Sequence, residues 1–190
     1  MPASIYADVI DSRALEQPET LLPTLGETAR RLNQVFAPAL AVPFAVDFGD
    51  ELRGALDDPV QAPLCVSVMR EALAPMQVRV GVAFGASAED AFTEAKKGDR
   101  LVHFMGTGEA GDLLLNALCR MVDPLVRSRT PKQWEAVAAM RAAGDAKGAA
   151  QRLGISRQGL VARLKGAHWK AVEDADATIA AYLAMALPAS

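Results

Sequence analysis

The chain has 190 residues, which is enough for one ordinary domain or two small ones. Its hydrophobic fraction of 51% excludes wholesale disorder, although 37 of those residues are alanine and aromatic residues make up only 5%. No apolar run reaches the roughly 18–20 residues that a membrane-spanning helix needs, and the first residues lack the basic-then-apolar layout of a secretion signal. We therefore expect a cytoplasmic protein.

The net charge of −3 is the sum of two parts of opposite sign. Residues 1–126 carry 10 basic and 18 acidic side chains, a net charge of −8. Residues 127–190 carry 10 basic and 5 acidic side chains, a net charge of +5. This asymmetry predicts that the C-terminal part meets an anionic partner.

The first part of the chain alternates strand and helix patterns. They predict a strand, a helix, two strands, a helix and a strand over residues 4–10, 19–36, 44–48, 51–56, 58–75 and 76–84. Gly49-Asp50 makes the hairpin turn, and Leu64, Val68 and Leu73 mark the inner face of the second helix. This order is typical of the ferredoxin-like, or palm, βαββαβ arrangement, and so of an α+β fold.

Residues 85–111 are interrupted by glycines, and the pattern leaves two alternatives. One is a mobile loop, and the other is a degraded strand and helix, with a short helix from Glu89 to Lys97. The segment from Asp112 to Val126 predicts a packed helix on the apolar set Leu113, Leu114, Leu118, Met121, Val122 and Leu125. We therefore predict an α+β domain over 1–111, a connector helix over 112–127 and a helical domain over 128–190.

Cysteine and histidine are too few for a zinc site. Cys65 and Cys119 both lie in apolar surroundings, which favours buried free thiols over a disulfide. His103 and His168 are the only histidines of the sequence, so a structural zinc site lacks ligands. We expect His103 to be a packed side chain.

The C-terminal part begins with strong helix boundary signals. Thr130, Pro131 and Gln133 form a capping box with proline at the first helical position, and Gly144 ends that helix. Asp145 caps a second helix over 146–153, which ends at Gly154. Ser156 caps a third over 157–167, and a fourth runs from about His168 to Leu187.

The middle of this segment, GAAQRLGISRQGLVARLKGA, has the spacing of a helix-turn-helix. Ala150 is small enough for close helix crossing, and Gly154 can adopt a positive φ at the turn. Ile155, Leu160 and Leu164 then fill the crossing. The spacing therefore predicts that the third helix lies across the second with one face outward.

The outward face of the third helix carries the predicted DNA contacts Ser156, Arg157, Gln158, Ala162, Arg163 and Lys165. Arginine and glutamine reach base edges, and lysine and arginine hold phosphates. A homodimer on double-stranded DNA is expected, because one short helix reads few base pairs. The alternatives are a plain helical unit with a solvated basic face, or a helix-turn-helix that contacts protein.

Acidic residues mark a second candidate site in the first part of the chain. Asp8 lies on the first predicted strand, and Asp50 and Glu51 lie at the hairpin. Because the first strand neighbours the hairpin, these carboxylates can hold Mg²⁺, which in turn binds a triphosphate. Arg13 and Arg79 are candidate phosphate contacts of a nucleotide. The alternative is that the carboxylates are ordinary turn and strand-end residues.

The chain resembles the SatD family in five segments that occur in the same order: ADVIDSR, GDE, VRVGVAFG, TPKQWEA and LGISRQGLVARL. More distantly, the first domain resembles the palm domain of nucleotide cyclases and GGDEF proteins. The resemblance implies a cyclase-like fold joined to a helix-turn-helix, with Asp8 and Asp50 at the two metal carboxylates and Glu51 beside them. Phe48 departs from the pattern, because it stands where those proteins have the glycine that lets phosphate approach.

Two functions follow from these patterns. The first is a DNA-binding regulator whose first domain dimerises or senses a ligand. The second is a Mg²⁺-dependent nucleotide-handling enzyme, a cyclase or nucleotidyltransferase, that uses Asp8 and Asp50. The two combine if a nucleotide tunes DNA affinity. No catalytic residue is assigned, since no residue set for transition-state stabilisation or base selection is found after Gly85.

Overall fold

A computed structural model describes residues 1–47 and 49–187, and the predicted departure at Phe48 lies outside them. The predicted α+β class is confirmed. The strands are β1 (Ala3–Val9), β2 (Leu40–Asp47), β3 (Glu51–Leu56), β4 (Val78–Phe84) and β5 (Val102–Met105). The described residues also form eight α-helices, α1 (Leu21–Val35), α2 (Ala62–Leu73), α3 (Ala88–Lys97), α4 (Glu109–Arg127), α5 (Pro131–Ala143), α6 (Ala146–Leu153), α7 (Arg157–Gly166) and α8 (Trp169–Ala186).

The five strands form one mixed sheet in the order β2-β3-β1-β4-β5. β1 is central and antiparallel to both β3 and β4, whereas β5 runs parallel to β4. In this register Asp8 lies opposite Glu51 on one side and opposite Arg79 on the other. Directly paired residues project to the same face, so these three side chains start from one face of the sheet.

The two faces of the sheet are covered differently. One face packs into the main apolar core, to which α1, α2, α4 and α8 contribute. The other face is approached closely by α3, because Gly81 has no side chain: a Cβ there would lie 2.3 Å from the Ala88 carbonyl oxygen. The ring edge of Phe92 on α3 meets Tyr6 of β1, with ring centroids 4.7 Å apart.

The C-terminal helices have a small core of their own. It is formed by Ala136, Val137, Ala139, Ala149, Ala150, Leu160, Leu164 and Ala167. Helix α8 instead contributes Val172, Ile179 and Leu183 to the main core against the sheet. The helical part is therefore joined to the sheet part through α8.

The largest differences from the predicted elements concern the start of β2 and the structure of residues 85–111. β2 begins at Leu40, four residues before the prediction, even though the strand contains Pro43. It is an edge strand, where a proline without an N–H is tolerated. The mobile-loop alternative for residues 85–111 is wrong, because α3 and β5 occupy that segment and Gly85, Gly106 and Gly108 lie at its turns with positive φ.

The predicted inner faces of α2 and α4 are partly wrong. Leu64 on α2 is exposed, and Leu113, Leu114 and Met121 on α4 are exposed as well. The buried side of α4 includes polar residues that satisfy the backbone next to β5. Asn116 accepts from the Phe104 N–H at 2.8 Å, and Asp123 accepts from the Leu101 N–H at 2.7 Å. Apolar periodicity therefore indicated only part of the buried face of α4, since Leu118 and Val122 do pack against the main core.

Cys65 and Cys119 are buried free thiols, as predicted. Burial raises the pKa of both, that of Cys119 to about 12, so neither is a reactive thiolate near neutral pH. Among the described residues no helix has the length and apolar character needed to cross a bilayer.

Candidate functional site

The caps predicted for α5 and α6 are present. Thr130 and Gln133 form the reciprocal capping box, with Pro131 at the start of the helix. Gly144 ends α5 in the left-handed conformation at φ 74°. Asp145 accepts hydrogen bonds from two backbone N–H groups of the first turn of α6. These local bonds fix where each helix begins and ends.

The turn between α6 and α7 sets the angle between these helices. Gly154 has φ 62° and ψ 29°, the left-handed conformation that glycine adopts without strain. The Ile155 N–H donates to the Ala150 carbonyl at 3.1 Å, and the Ser156 hydroxyl accepts from the Gly159 N–H at 3.0 Å. Leu160 of α7 is fully buried against this turn. The orientation of α7 is therefore held by both the turn and the small core.

The outward face of α7 carries most of the predicted DNA contacts in exposed positions. Arg157, Gln158, Ala162 and Lys165 are all exposed. Arg163 is half-buried and forms an ion pair with Glu135 of α5 at 3.5 Å. Arg163 is thus partly engaged within the protein, whereas Arg157, Gln158 and Lys165 point outward as predicted. Ser156 caps the helix.

A groove of about 490 Å³ extends this surface toward α8. It is lined by Val161, Leu164, Lys165, His168, Trp169, Lys170 and Ala171. Lys165 and Lys170 place two ammonium groups at an apolar surface, which suits a polyanion with an apolar edge. Sequence reasoning did not predict Lys170 as a contact residue. The one feature that could have indicated it is its position in the first turn of α8.

The acidic site brings Asp8 and Asp50 together. Burial and, second, the neighbouring Asp50 carboxyl raise the pKa of Asp8 to about 6, and the two carboxyls form a hydrogen bond. The Asp8 carboxyl therefore takes up a proton in mildly acidic conditions, at a higher pH than an ordinary aspartate does. Within the described residues the Oδ1 atom of Asp8 is buried without a hydrogen-bond partner. Such an oxygen can still accept a hydrogen bond or coordinate a cation.

Glu51 is held by other partners. A hydrogen bond from Tyr6 lowers the pKa of Glu51, and Arg53 Nη2 donates to its Oε2 at 3.0 Å. Arg53 also pairs with Asp47 and Glu89 and lies 4.6 Å from the Tyr6 ring centre. Over the described residues no group of three metal-ligating side chains converges. The structure therefore joins Asp8 with Asp50, while Glu51 belongs to the Tyr6 and Arg53 cluster.

The two arginines predicted as phosphate contacts have different surroundings. Arg79 donates from Nε to the Arg100 carbonyl at 2.9 Å and from Nη2 to Asp99 at 3.1 Å. Its guanidinium is therefore occupied within the protein despite its register next to Asp8. Arg13 is exposed in the short turn of 3-10 helix after β1.

Lys96 of α3 is a cation near the acidic site that sequence reasoning missed. Its positive charge lowers the pKa of Asp8 against the larger effect of burial. Lys96 belongs to the segment for which both a loop and a helix were possible from the sequence. The sequence therefore did not predict where Lys96 lies relative to β1. Lys96 supplies positive charge near Asp8, whereas Arg79 is paired with Asp99.

A groove of about 610 Å³ lies along the α3 side of β2 and β3. Its floor includes Tyr6 and Arg53, and its walls include the edge-strand residues Val42 and Pro43 and the start of α3 at Ser87. The cavity has the size of a small-molecule site and shares its face of the sheet with Asp8.

Comparisons with known proteins add little to the description of these sites. No family model matches the chain, and no curated protein matches it. Among solved structures, a regulator of polyketide synthase expression from Bifidobacterium adolescentis is similar, with a TM-score of 0.28 and 14% sequence identity. The similarity covers 97% of this chain and 80% of that one. The resemblance to the SatD family stays a prediction from the five quoted segments.

Proposed function

We propose that this chain is a DNA-binding regulatory protein. Helices α6 and α7 act as a helix-turn-helix that places α7 in the major groove, and the sheet part dimerises or senses a ligand. The observation that carries the proposal is the exposed row of Arg157, Gln158 and Lys165 on a helix whose direction is set by the Gly154 turn. Arginine and glutamine have the donor geometry for base edges.

The distribution of basic side chains supports the same conclusion. Part of the +5 charge faces inward, because Arg129 donates to the Ala167 carbonyl at 2.9 Å and Arg141 pairs with Glu71 at 2.6 Å. The exposed basic residues of the helical part are Lys132, Lys147, Arg152, Arg157, Lys165 and Lys170. These exposed cations attract a phosphate backbone, and in the sequence they lie on both sides of the α6–α7 turn.

Fluorescence anisotropy with labelled genomic duplexes tests the proposal. The wild type is expected to bind at low salt, and Arg157→Ala and Gln158→Ala each lower specific affinity by about 1–3 kcal/mol. Lys97→Ala is the matched control, because it removes an exposed cation from α3. Loss of binding by the α7 variants with the control unchanged is the expected result. An absence of binding at low salt, or equal weakening by the control, would overturn it.

A second candidate function rests on a different observation, the Asp8–Asp50 pair with the buried, unpartnered Oδ1 of Asp8. Carboxylate oxygens are the ligands that Mg²⁺ prefers, so these two residues fit a hard cation. Bound there, Mg²⁺ would neutralise phosphate oxygens of a nucleoside triphosphate. Asp8 and Asp50 would hold the ion, and Lys96 would add positive charge beside it.

Incubation with each nucleoside triphosphate and Mg²⁺ or Mn²⁺ tests this second function. Turnover that Asp50→Asn abolishes and Asp90→Asn leaves unchanged would favour the enzyme function over the regulatory function. Asp90 is a suitable control because it is an exposed carboxylate in the first turn of α3. A wild-type protein that neither binds Mn²⁺ nor converts any triphosphate contradicts the enzyme.

A further inference from the structure

We infer that the solvent face of α4 is the contact surface between two copies of this chain. We call this face the α4 stripe, and its residues are Ala110, Leu113, Leu114, Ala117, Met121 and Pro124. It lies on the opposite side of α4 from the buried Leu115, Cys119 and Val126. The inference goes beyond the proposed function and does not require DNA binding.

The stripe exposes more apolar surface than an isolated helix face normally does. Leu113, Leu114 and Met121 are 66%, 57% and 73% exposed. Together they present about 400 Å² of side chain, the size at which an exposed patch marks a contact site. Six such side chains from two copies supply about half of a standard interface of roughly 1,600 Å², and the small stripe residues between them add to it.

The order of large and small residues makes the stripe complementary to itself. Leu114 and Met121 are separated by seven residues, as are Ala110 and Ala117. The two series alternate at the spacing of a helix–helix seam. In an antiparallel pair each large side chain meets a small one of the second copy, Leu114 opposite position 117 and Met121 opposite position 110. A two-fold axis relates two such identical faces.

Charge at the edge of the stripe favours the same direction. Glu109 lies near the N-terminal end of α4 and Arg120 lies beyond its middle, and both are exposed. They fall on the same side of the stripe at helical spacing. In an antiparallel pair the same edges of the two helices meet, so opposite charges are brought toward each other. In a parallel pair related by a two-fold axis, the two charged edges lie on opposite sides of the seam and do not meet. A second copy thus fits the stripe in shape and in charge.

Sedimentation velocity of the full chain without DNA tests the inference. The wild type is expected to be a dimer at roughly 100 µM, and Leu114→Glu and Met121→Glu are expected to weaken the dimer at least about tenfold. Leu22→Glu is the matched control, because Leu22 is equally exposed on α1. Since all three side chains are exposed, the variants are expected to keep the wild-type circular dichroism, and to melt like the wild type when both are dilute enough to be monomeric.

A charge exchange tests the antiparallel direction. Glu109→Lys should weaken the dimer, and Glu109→Lys with Arg120→Glu should restore it. A wild type that stays monomeric at roughly 100 µM, or a dimer that Leu114→Glu and Met121→Glu leave intact, overturns the inference. Because no DNA is present, this result is separate from that of the DNA-binding experiment: either proposal can fail alone.

Discussion

Arg141 Nε donates to Glu71 Oε1 at 2.6 Å, which joins helix α5 to helix α2. The Glu71 side chain is almost entirely buried, and the same guanidinium donates to Glu173 of α8 at 2.7 Å. It also lies 4.9 Å from the centre of the Trp169 ring. A buried carboxylate of the sheet part is therefore neutralised by the helical part, so the two parts depend on one another for stability.

Replacing Arg141 should destabilise the whole chain. Arg141→Ala leaves the Glu71 carboxylate buried with the longer ion pair to Arg31, at 3.9 Å, and we expect a loss of about 3–5 kcal/mol in the free energy of unfolding. Urea denaturation measures it. Arg30→Ala is the control, since Arg30 and its partner Glu27 are both exposed and their pair contributes little. A loss no larger than that of the control would contradict the coupling.

The deficit of Arg141→Ala should depend on pH. Burial raises the pKa of Glu71 above its ordinary value even with Arg141 present, and removal of the guanidinium raises it further. A raised pKa in the folded state gives stability that is present at low pH and lost as pH rises through that pKa. Unfolding at pH 5 and pH 8 should therefore show the larger deficit at pH 8. Equal deficits would contradict this account of Glu71.

Asp176 provides a second pH-dependent contribution. Ser67 Oγ donates to Asp176 Oδ2 at 2.5 Å, and burial raises the pKa of Asp176 to about 6. The charged form is thus disfavoured in the folded state, so stability falls as pH rises from about 4 to about 6. Asp176→Asn keeps an acceptor for Ser67 and should raise stability at pH 7.5 by about 1–3 kcal/mol. Thermal unfolding that shows no gain would refute it.

The Asp8–Asp50 pair predicts a measurable titration. Asp50→Asn removes the neighbouring negative charge and should lower the pKa of Asp8 below about 6, though burial keeps it above its ordinary value. Carboxyl ¹³C shifts followed against pH measure this directly. Mn²⁺ competes with the proton of Asp8, so its affinity should be higher at pH 7.5 than at pH 5. An unchanged Asp8 titration in Asp50→Asn would show that the carboxyls do not interact.

The turn at Gly154 predicts a difference between two substitutions. Gly154→Val forces a β-branched residue into the left-handed conformation and should cost about 1–2 kcal/mol or more. Gly154→Asn should cost less, because asparagine tolerates this conformation. A Cβ at this position meets no other atom, so the difference reports backbone strain alone. Similar melting temperatures for the two variants would contradict that explanation.

The sequence predicted the helical part well because its signals are local. Thr130, Asp145 and Ser156 bond to N–H groups within three residues, and Gly144 and Gly154 end their helices by their own conformation. The hairpin strand from Glu51 to Leu56 was predicted for the same reason, next to its turn. Such features need no knowledge of distant residues.

The remaining features depend on contacts between distant residues. Asn116 and Asp123 face inward because they satisfy backbone groups beside β5. Leu113, Leu114 and Met121 point to solvent instead. Arg79 is diverted from Asp8 by Asp99 and the Arg100 carbonyl. Lys96 acts on Asp8 through its charge because Gly81 lets α3 lie close to β4. None of these relations has a period or a motif in the chain.

The salt dependence of DNA binding by Lys165→Ala is the most direct test of the central claim. Lys165 is exposed on α7, where we place it against a phosphate. Between about 50 mM and 200 mM salt, the logarithm of the binding constant should fall steeply for the wild type, and its slope should decrease by about one for Lys165→Ala. Lys97→Ala should keep the wild-type slope. Identical slopes for the wild type and Lys165→Ala, or no binding at 50 mM salt, would contradict DNA recognition by α7.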